Sequence, residues 1–308
     1  MAQVEQRPGT RGPEGSLWRK VRDYVAITKP RIIELLLVTA IPSMILAARG
    51  WPEPLTAVAV IVGGMLAAGG ANAYNSVYDR DIDALMSRTH ARPVATGAVS
   101  VRGGLAFATL LSVGSVLVLA LLTNALAAAL AVVAIVFYAV GYTMLLKRRT
   151  SQNIVWGGAA GCMPVLIAWA AVTGGLTWTP VVLFLIVFWW TPPHYWPLSL
   201  RYRDDYAAAG VPMLPVVADV RSVTRSIAVY SWIMVATSLV LIPVGSMGWV
   251  YSVAAAALGA VFLIEAHLLR RRALADPLDA GPMRLFHWSI TYLALLFLAV
   301  AVDPFIAG

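Results

Sequence analysis

NAYNSVYDRDIDALMSRTHARPVATG, residues 72–97, is the densest polar run in a 308-residue chain that is 60% hydrophobic and 12% charged. Soluble domains are about half apolar and about a quarter charged, so this balance is that of an integral membrane protein. Apolar blocks flank the run on both sides, and its polarity marks a place where the chain leaves the bilayer and re-enters it. If Asn75 to Asp83 is helical, Asn75, Asp79 and Asp83 stand at i, i+4 and i+8 and form one stripe, while Asp81 points roughly the other way. Two carboxylates one turn apart repel unless a cation lies between them. An amide and two carboxylates form a hard-oxygen donor set suited to Mg²⁺, which makes the stripe a candidate metal site.

The neighbouring apolar blocks are about 20 residues long, enough to cross a bilayer as a helix. They fall near 31–48, 54–75, 103–122, 125–146, 153–172, 180–200, 222–243, 248–269 and 284–302, predicting an all-α protein of nine transmembrane helices. Of the 23 Lys and Arg residues, seven lie in the stretch ending at Arg31 and fifteen in the loops after the second, fourth, sixth and eighth blocks. Only Arg49 falls on the opposite side. This bias places the N-terminus in the cytoplasm and the C-terminus outside. Outer links are short and rich in Gly, Pro and Trp, whereas the inner loops after the second and sixth blocks are long and polar, so chemistry is expected at the inner face.

The basic residues form short clusters between apolar blocks, a topological pattern that gives no support to nucleic-acid binding. Residues 1–24 read as a polar cytoplasmic tail, because Glu5 and Glu14 interrupt its arginines and no apolar core or cleavage site follows. Residues 25–308 read as one membrane domain. The two long inner loops lie four helices apart, and each runs from acidic residues to a Pro-Val step, Pro93-Val94 or Pro215-Val216. That spacing suggests four-helix repeats over 31–146 and 153–269 with 284–302 added. Cys162, the single cysteine, sits in an apolar run and reads as a packing residue.

The second inner loop, WWTPPHYWPLSLRYRDDYAAAGVPMLPVV (189–217), contains Asp204 and Asp205, the only adjacent acidic pair in the chain. Facing the stripe across a cavity, this pair requires a divalent metal and a bound anion to offset carboxylate repulsion. Arg88, Arg92, Lys147 and Arg148 supply phosphate-binding cations, so the combination describes a diphosphate site with apolar walls suited to an isoprenoid tail. His194 stands among Trp189, Trp190, Tyr195 and Trp196; such a histidine is often structural, but beside a diphosphate site it is a candidate haem ligand or proton-handling group. Glu34 and Glu265 fall inside predicted spans, where an acidic residue is costly and often functional; Glu34, near the inner end of its span, either carries a function or snorkels to the interface, and Glu265 reaches the interface. A cation-coupled transporter is the alternative from another class. It would place its charges near mid-membrane on interrupted helices, whereas these carboxylates lie at inner ends.

NSVYDRDID (75–83) followed by SRTHARPVATG (87–97) resembles the first aspartate-rich motif of the UbiA superfamily of intramembrane prenyltransferases. TKPRIIELLLVT (28–39), YTMLLKRRTSQNIVWGGAAG (142–161) and PPHYWPLSLRYRDDYAAAGVPMLPVV (192–217) resemble its haem-farnesylating branch, and the likeness covers about residues 24–302. The resemblance implies nine helices around a central cavity open near the cytoplasmic face of a bacterial cell membrane. It implies transfer of farnesyl from farnesyl diphosphate to a vinyl group of haem B with addition of water, giving haem O, with a haem A synthase as a downstream partner. Mg²⁺ would be held by Asn75, Asp79, Asp83 and the Asp204/Asp205 side, Asp205 being favoured. Asp79, Asp83, Asp205 and His194 would be catalytic, Arg88, Arg92, Lys147 and Arg148 would bind diphosphate, and Tyr74, Tyr78, Tyr142 and Trp196 would shield the allylic cation. The quinone-precursor branch is the same-class alternative; its second loop often carries a DxxxD spacing, which this chain lacks.

Overall fold

The protein is described by a computed structural model over residues 13–276 and 280–306. In chain order its helices are α1 (Pro13–Ile27), α2 (Pro30–Ala48), α3 (Pro54–Tyr78), α4 (Arg80–Leu85), α5 (Val101–Leu122) and α6 (Ala125–Val136), the last continuing as a π-helix over Phe137–Leu146. They are followed by α7 (Asn153–Thr173), α8 (Trp178–Arg201), α9 (Arg203–Ala208), α10 (Leu214–Val217), α11 (Val220–Val244), α12 (Trp249–Ala275) and α13 (Pro282–Ile306).

Among the described residues eight helices are long and apolar enough to cross a membrane: α2, α3, α5, α6 with its π continuation, α7, α11, α12 and α13. Eight of the nine expected spans correspond to these helices; the ninth, 180–200, falls within α8. That helix has 24 residues, but the low hydropathy of Pro192, Pro193, His194 and Pro197 in its second half keeps it out of that set. The expected polar tail is helical from Pro13 onward; residues 1–12 lie outside the described residues. In α1, Leu17, Trp18, Val21 and Val25 are exposed along one side, while Ile27 is buried and Tyr24 packs edge-on against Phe107 at 5.1 Å.

Small residues let the helices approach closely, as expected where lipid removes the hydrophobic drive for association. A Cβ on Gly70 of α3 would lie 2.9 Å from the Ala108 carbonyl oxygen of α5, and Ser115 donates to the Gly63 carbonyl at 2.7 Å. One apolar core joins α7, α8, α11, α12 and α13; a second joins α2, α3, α6 and α7. Cys162 is fully buried in the first, in agreement with a packing role.

At the end of the bundle away from Asp79, buried Asp303 caps a neighbouring helix. Its carboxylate accepts from Gly248 N at 2.6 Å and from Tyr251 N at 2.9 Å, satisfying orphan donors at the start of α12. Asp303→Ala is expected to destabilise the protein by about 2 kcal/mol. Thermal unfolding in detergent with Asp303→Asn alongside checks this, the amide variant recovering part of the loss.

Candidate active site

The helix carrying the polar stripe runs three residues past the end of its apolar block. Asp79 lies between α3 and α4, yet the Asp79 N–H donates to Asn75 O at 2.9 Å and the Asp83 N–H to Asp79 O at 2.8 Å, so the helical register continues. Asn75, Asp79 and Asp83 therefore share one face as expected, and all three are buried. Asp81 points outward, with a side chain 60% exposed.

Buried carboxylates need partners. Asp79 pairs with Lys147, and its Oδ2 also accepts from Asn75 Nδ2 at 2.7 Å. Asp83 is held by the Arg92 guanidinium, with Nη1 at 2.8 Å from each oxygen. Asn75 Nδ2 also donates to Thr143 Oγ1 at 3.0 Å, and Thr143 Oγ1 donates to Tyr138 O at 2.8 Å across the π-helix. The π-helix brings Tyr138 and Tyr142 together at 5.5 Å between ring centroids, on the wall facing the stripe. Wide helical turns of this kind are frequent at functional sites.

Lys29 completes the group. It joins α1 to α2 in a left-handed conformation, φ 56°, and its ammonium donates to Asn75 Oδ1. Burial first, and the neighbouring Arg92 and Lys147 next, push this ammonium well below the usual lysine range. Among the described residues neither Lys29 nor Arg88 forms a salt bridge; Arg88 lies 3.4 Å from Tyr206 Oη and over the Tyr202 ring at 5.6 Å.

These residues border a cavity of about 360 Å³. Lys29, Arg88, Arg92 and Lys147 line it with Asn75 and Asp83, so basic side chains outnumber carboxylates even with Lys29 left out. The excess of positive charge suits a polyanion. Deeper walls come from Ile32, Leu35 and Leu36 of α2, Gly157, Gly158 and Gly161 of α7, and Trp190, His194 and Tyr195 of α8, with Phe286 and Leu293 of α13. A smaller apolar cavity of about 90 Å³ shares Ile32, Leu36, Tyr138 and Gly161 with it. Together they offer a charged mouth and apolar depth.

Several expected residues lie elsewhere. Arg148 forms a double hydrogen bond to Asp81, 2.7 Å to each oxygen, and stacks over the Tyr78 ring at 4.9 Å, so it is not part of the cavity lining. Asp204 is exposed, and Asp205 accepts from Ser87 Oγ at 2.5 Å. Neither lines the cavity, because α9 turns Tyr206 inward instead. Tyr74 bonds Thr109 of α5 at 2.7 Å, and Trp196 is buried against Tyr230. Of the four expected aromatic residues only Tyr142 lines the cavity; Tyr138, Tyr195 and Tyr206 are there in place of the others. Lys29 was readable as the lysine of Lys-Pro-Arg at a helix start, although its role was not assigned from sequence.

The Arg148 pair holds the Asp81 carboxyl down at about 2. A carboxylate with a lowered folded-state pKa stabilises the fold above its unfolded value, about 3.9, and loses that contribution as pH falls toward about 2. Solvent screening keeps the term below about 1 kcal/mol. Asp81→Asn should lower the unfolding temperature slightly near neutral pH, with the difference narrowing below about pH 4.

Among the described residues no three His, Cys, Asp or Glu side chains form a ready metal cluster. Asn75, Asp79 and Asp83 nonetheless supply hard oxygens beside cations able to exchange these carboxylates for phosphate oxygens, a donor set that fits Mg²⁺ arriving with a diphosphate.

The profile of the UbiA prenyltransferase family matches residues 36–301. The chain belongs to the UbiA prenyltransferase family. It is 57% identical over 289 residues to the protoheme IX farnesyltransferase of Streptomyces avermitilis, covering 93% of this chain and 95% of that protein. Another protoheme IX farnesyltransferase, from Clavibacter sepedonicus, is 58% identical and covers 93% of each. The UbiA fold is shared with a homologue from Aeropyrum pernix K1, TM-score 0.71 at 18% identity over 89% of this chain and 98% of that one.

Proposed function

We propose that this UbiA prenyltransferase transfers farnesyl from farnesyl diphosphate to a vinyl group of haem B. Water adds in the same reaction, and the products are haem O and diphosphate. The curated relatives bear the corresponding name over nearly their whole lengths. The single structural observation that carries the chemistry is the cavity with four basic side chains at one end and apolar helices behind.

Lys29, Arg88, Arg92 and Lys147 bind the diphosphate and stabilise the charge that grows on it as the allylic C–O bond breaks. A UbiA homologue from Archaeoglobus fulgidus was solved with DMAPP and Mg²⁺. In this chain Asn75, Asp79 and Asp83 would hold Mg²⁺, which would supply charge neutralisation of the leaving group. Tyr138 and Tyr142 shield the farnesyl cation from water and offer it ring faces. The vinyl π electrons form the new C–C bond, water adds at the resulting porphyrin-side cation, and one proton leaves the added water. His194 contacts the haem. The active end lies at the cytoplasmic face of a bacterial cell membrane, in accord with the basic loops, and haem O passes to a haem A synthase.

Lys29→Met should raise KM for farnesyl diphosphate by about tenfold to a hundredfold, the value of a charge-assisted hydrogen bond. The overall reading is tested by incubating membranes holding the protein with haem B, farnesyl diphosphate and Mg²⁺, and weighing the haem products. Haem O is expected, and chelation of divalent metal should stop its formation. No haem O from the unaltered protein would sink the proposal.

A further inference from the structure

The α8–α13 junction determines which nitrogen of His194 carries its proton. Ser289 Oγ lies 2.6 Å from Phe286 O, and a carbonyl oxygen only accepts, so the hydroxyl hydrogen is committed there. The same Oγ lies 2.7 Å from His194 Nδ1. With no second hydrogen to give, it accepts, and Nδ1 is the donor. The imidazole is stacked between Trp190, 4.1 Å and 13° away, and Phe286, 4.7 Å and 22° away. No carboxylate pairs with it among the described residues, so it is the neutral ring that fits this apolar stack. A neutral imidazole holds one N–H, which leaves Nε2 bare.

Ser289 is fully buried, and its carbonyl accepts from Trp190 Nε1 at 2.8 Å, so serine, indole and imidazole hold one another in place. Nε2, on the opposite edge of the ring from Ser289, has no protein partner among the described residues, and His194 lines the cavity.

We infer that Ser289 is a positioning residue that fixes His194 as the Nδ1–H tautomer, so that the Nε2 lone pair is available to the iron of haem bound in the cavity. The inference rests on the proposed haem reaction for its ligand, whereas the tautomer is a property of the protein alone. Histidines that bind metal are commonly oriented by a partner on the other ring nitrogen, and loss of that partner weakens binding by about tenfold or more.

The test uses the full-length protein in detergent. Nitrogen-15 NMR of the ligand-free protein, with the His194 signals assigned by difference from His194→Gln, should show Nδ1–H alone; Nε2–H in the unaltered protein would overturn the inference. Titrations with haem B and with metal-free protoporphyrin IX separate iron binding from shape. Ser289→Ala should mix the two tautomers and weaken haem B binding about tenfold, with little change for the metal-free ring, and Ser289→Thr should restore both. Equal losses for the two porphyrins, or no loss for haem B, would overturn the role of Ser289. If the unaltered protein bound neither porphyrin, the haem reading would fail, and with it the iron-directed role.

Discussion

Asp79→Asn is expected to reduce farnesyl transfer by about a thousandfold or more while the protein still inserts and folds. Asp79 is fully buried and lies at the centre of the charged group, where it meets Lys147 and Asn75 and stands 3.5 Å from Arg148. Asparagine keeps the shape and one acceptor oxygen, so helix continuity through Asp83 is retained. It removes the negative charge that balances Lys147 in the resting protein and that would hold the cation during ionisation. Haem O measured by mass spectrometry, alongside the unfolding temperature, separates lost chemistry from lost fold. A fully active, normally folded Asp79→Asn protein would refute the metal role of this carboxylate.

Gly157→Val should reduce activity by about a hundredfold through displacement of a cavity wall. A Cβ at Gly157 would lie 2.2 Å from Tyr142 Cδ2 and 2.6 Å from Cε2, distances no ring tolerates. Tyr142 packs beside Tyr138, and both line the main cavity, so the displaced ring cannot move without altering the space for substrate. Gly64, also in a long helix but with open space at its Cβ, provides the comparison. Gly64→Ala should leave turnover within about twofold, because replacing an unhindered helical glycine changes stability by about 1 kcal/mol at most and touches nothing in the cavity. Equal losses from both substitutions would point to a general folding defect instead.

Much of the architecture was legible because apolar blocks of bilayer length are read residue by residue. The block at 54–75 already gives the start of α3, but its end at Tyr78 was hidden because the helix continues from apolar into polar residues without a break. The stripe Asn75, Asp79 and Asp83 was legible from helical spacing alone. That same spacing argues against Tyr74 and Tyr78, each one residue before a stripe member and so about 100° around the helix. They face Thr109 and Arg148. Trp196, two positions past His194, lies on nearly the opposite side of α8 and enters the apolar core.

Other features depend on contacts between distant segments. Asp81 captures Arg148 from 67 residues away, and nothing local distinguishes this arginine from Lys147, which turns to Asp79. Asp204 and Asp205 are conspicuous as a pair, yet Tyr206 is the α9 residue that reaches the cavity. Lys29 acquires its place because the chain reverses in a left-handed turn before α2, bringing its ammonium to Asn75. In α8, Thr191 and His194 belong to the cavity wall, whereas Pro192, Pro193 and Pro197, which also lower its hydropathy, do not.

The most direct measurement is the stoichiometry of products from purified protein supplied with haem B, farnesyl diphosphate and Mg²⁺. The account predicts haem O and inorganic diphosphate in equal amounts, with diphosphate release dependent on haem B. Diphosphate released without haem O, or farnesyl carried onto an aromatic acid in preference to haem B, would contradict it.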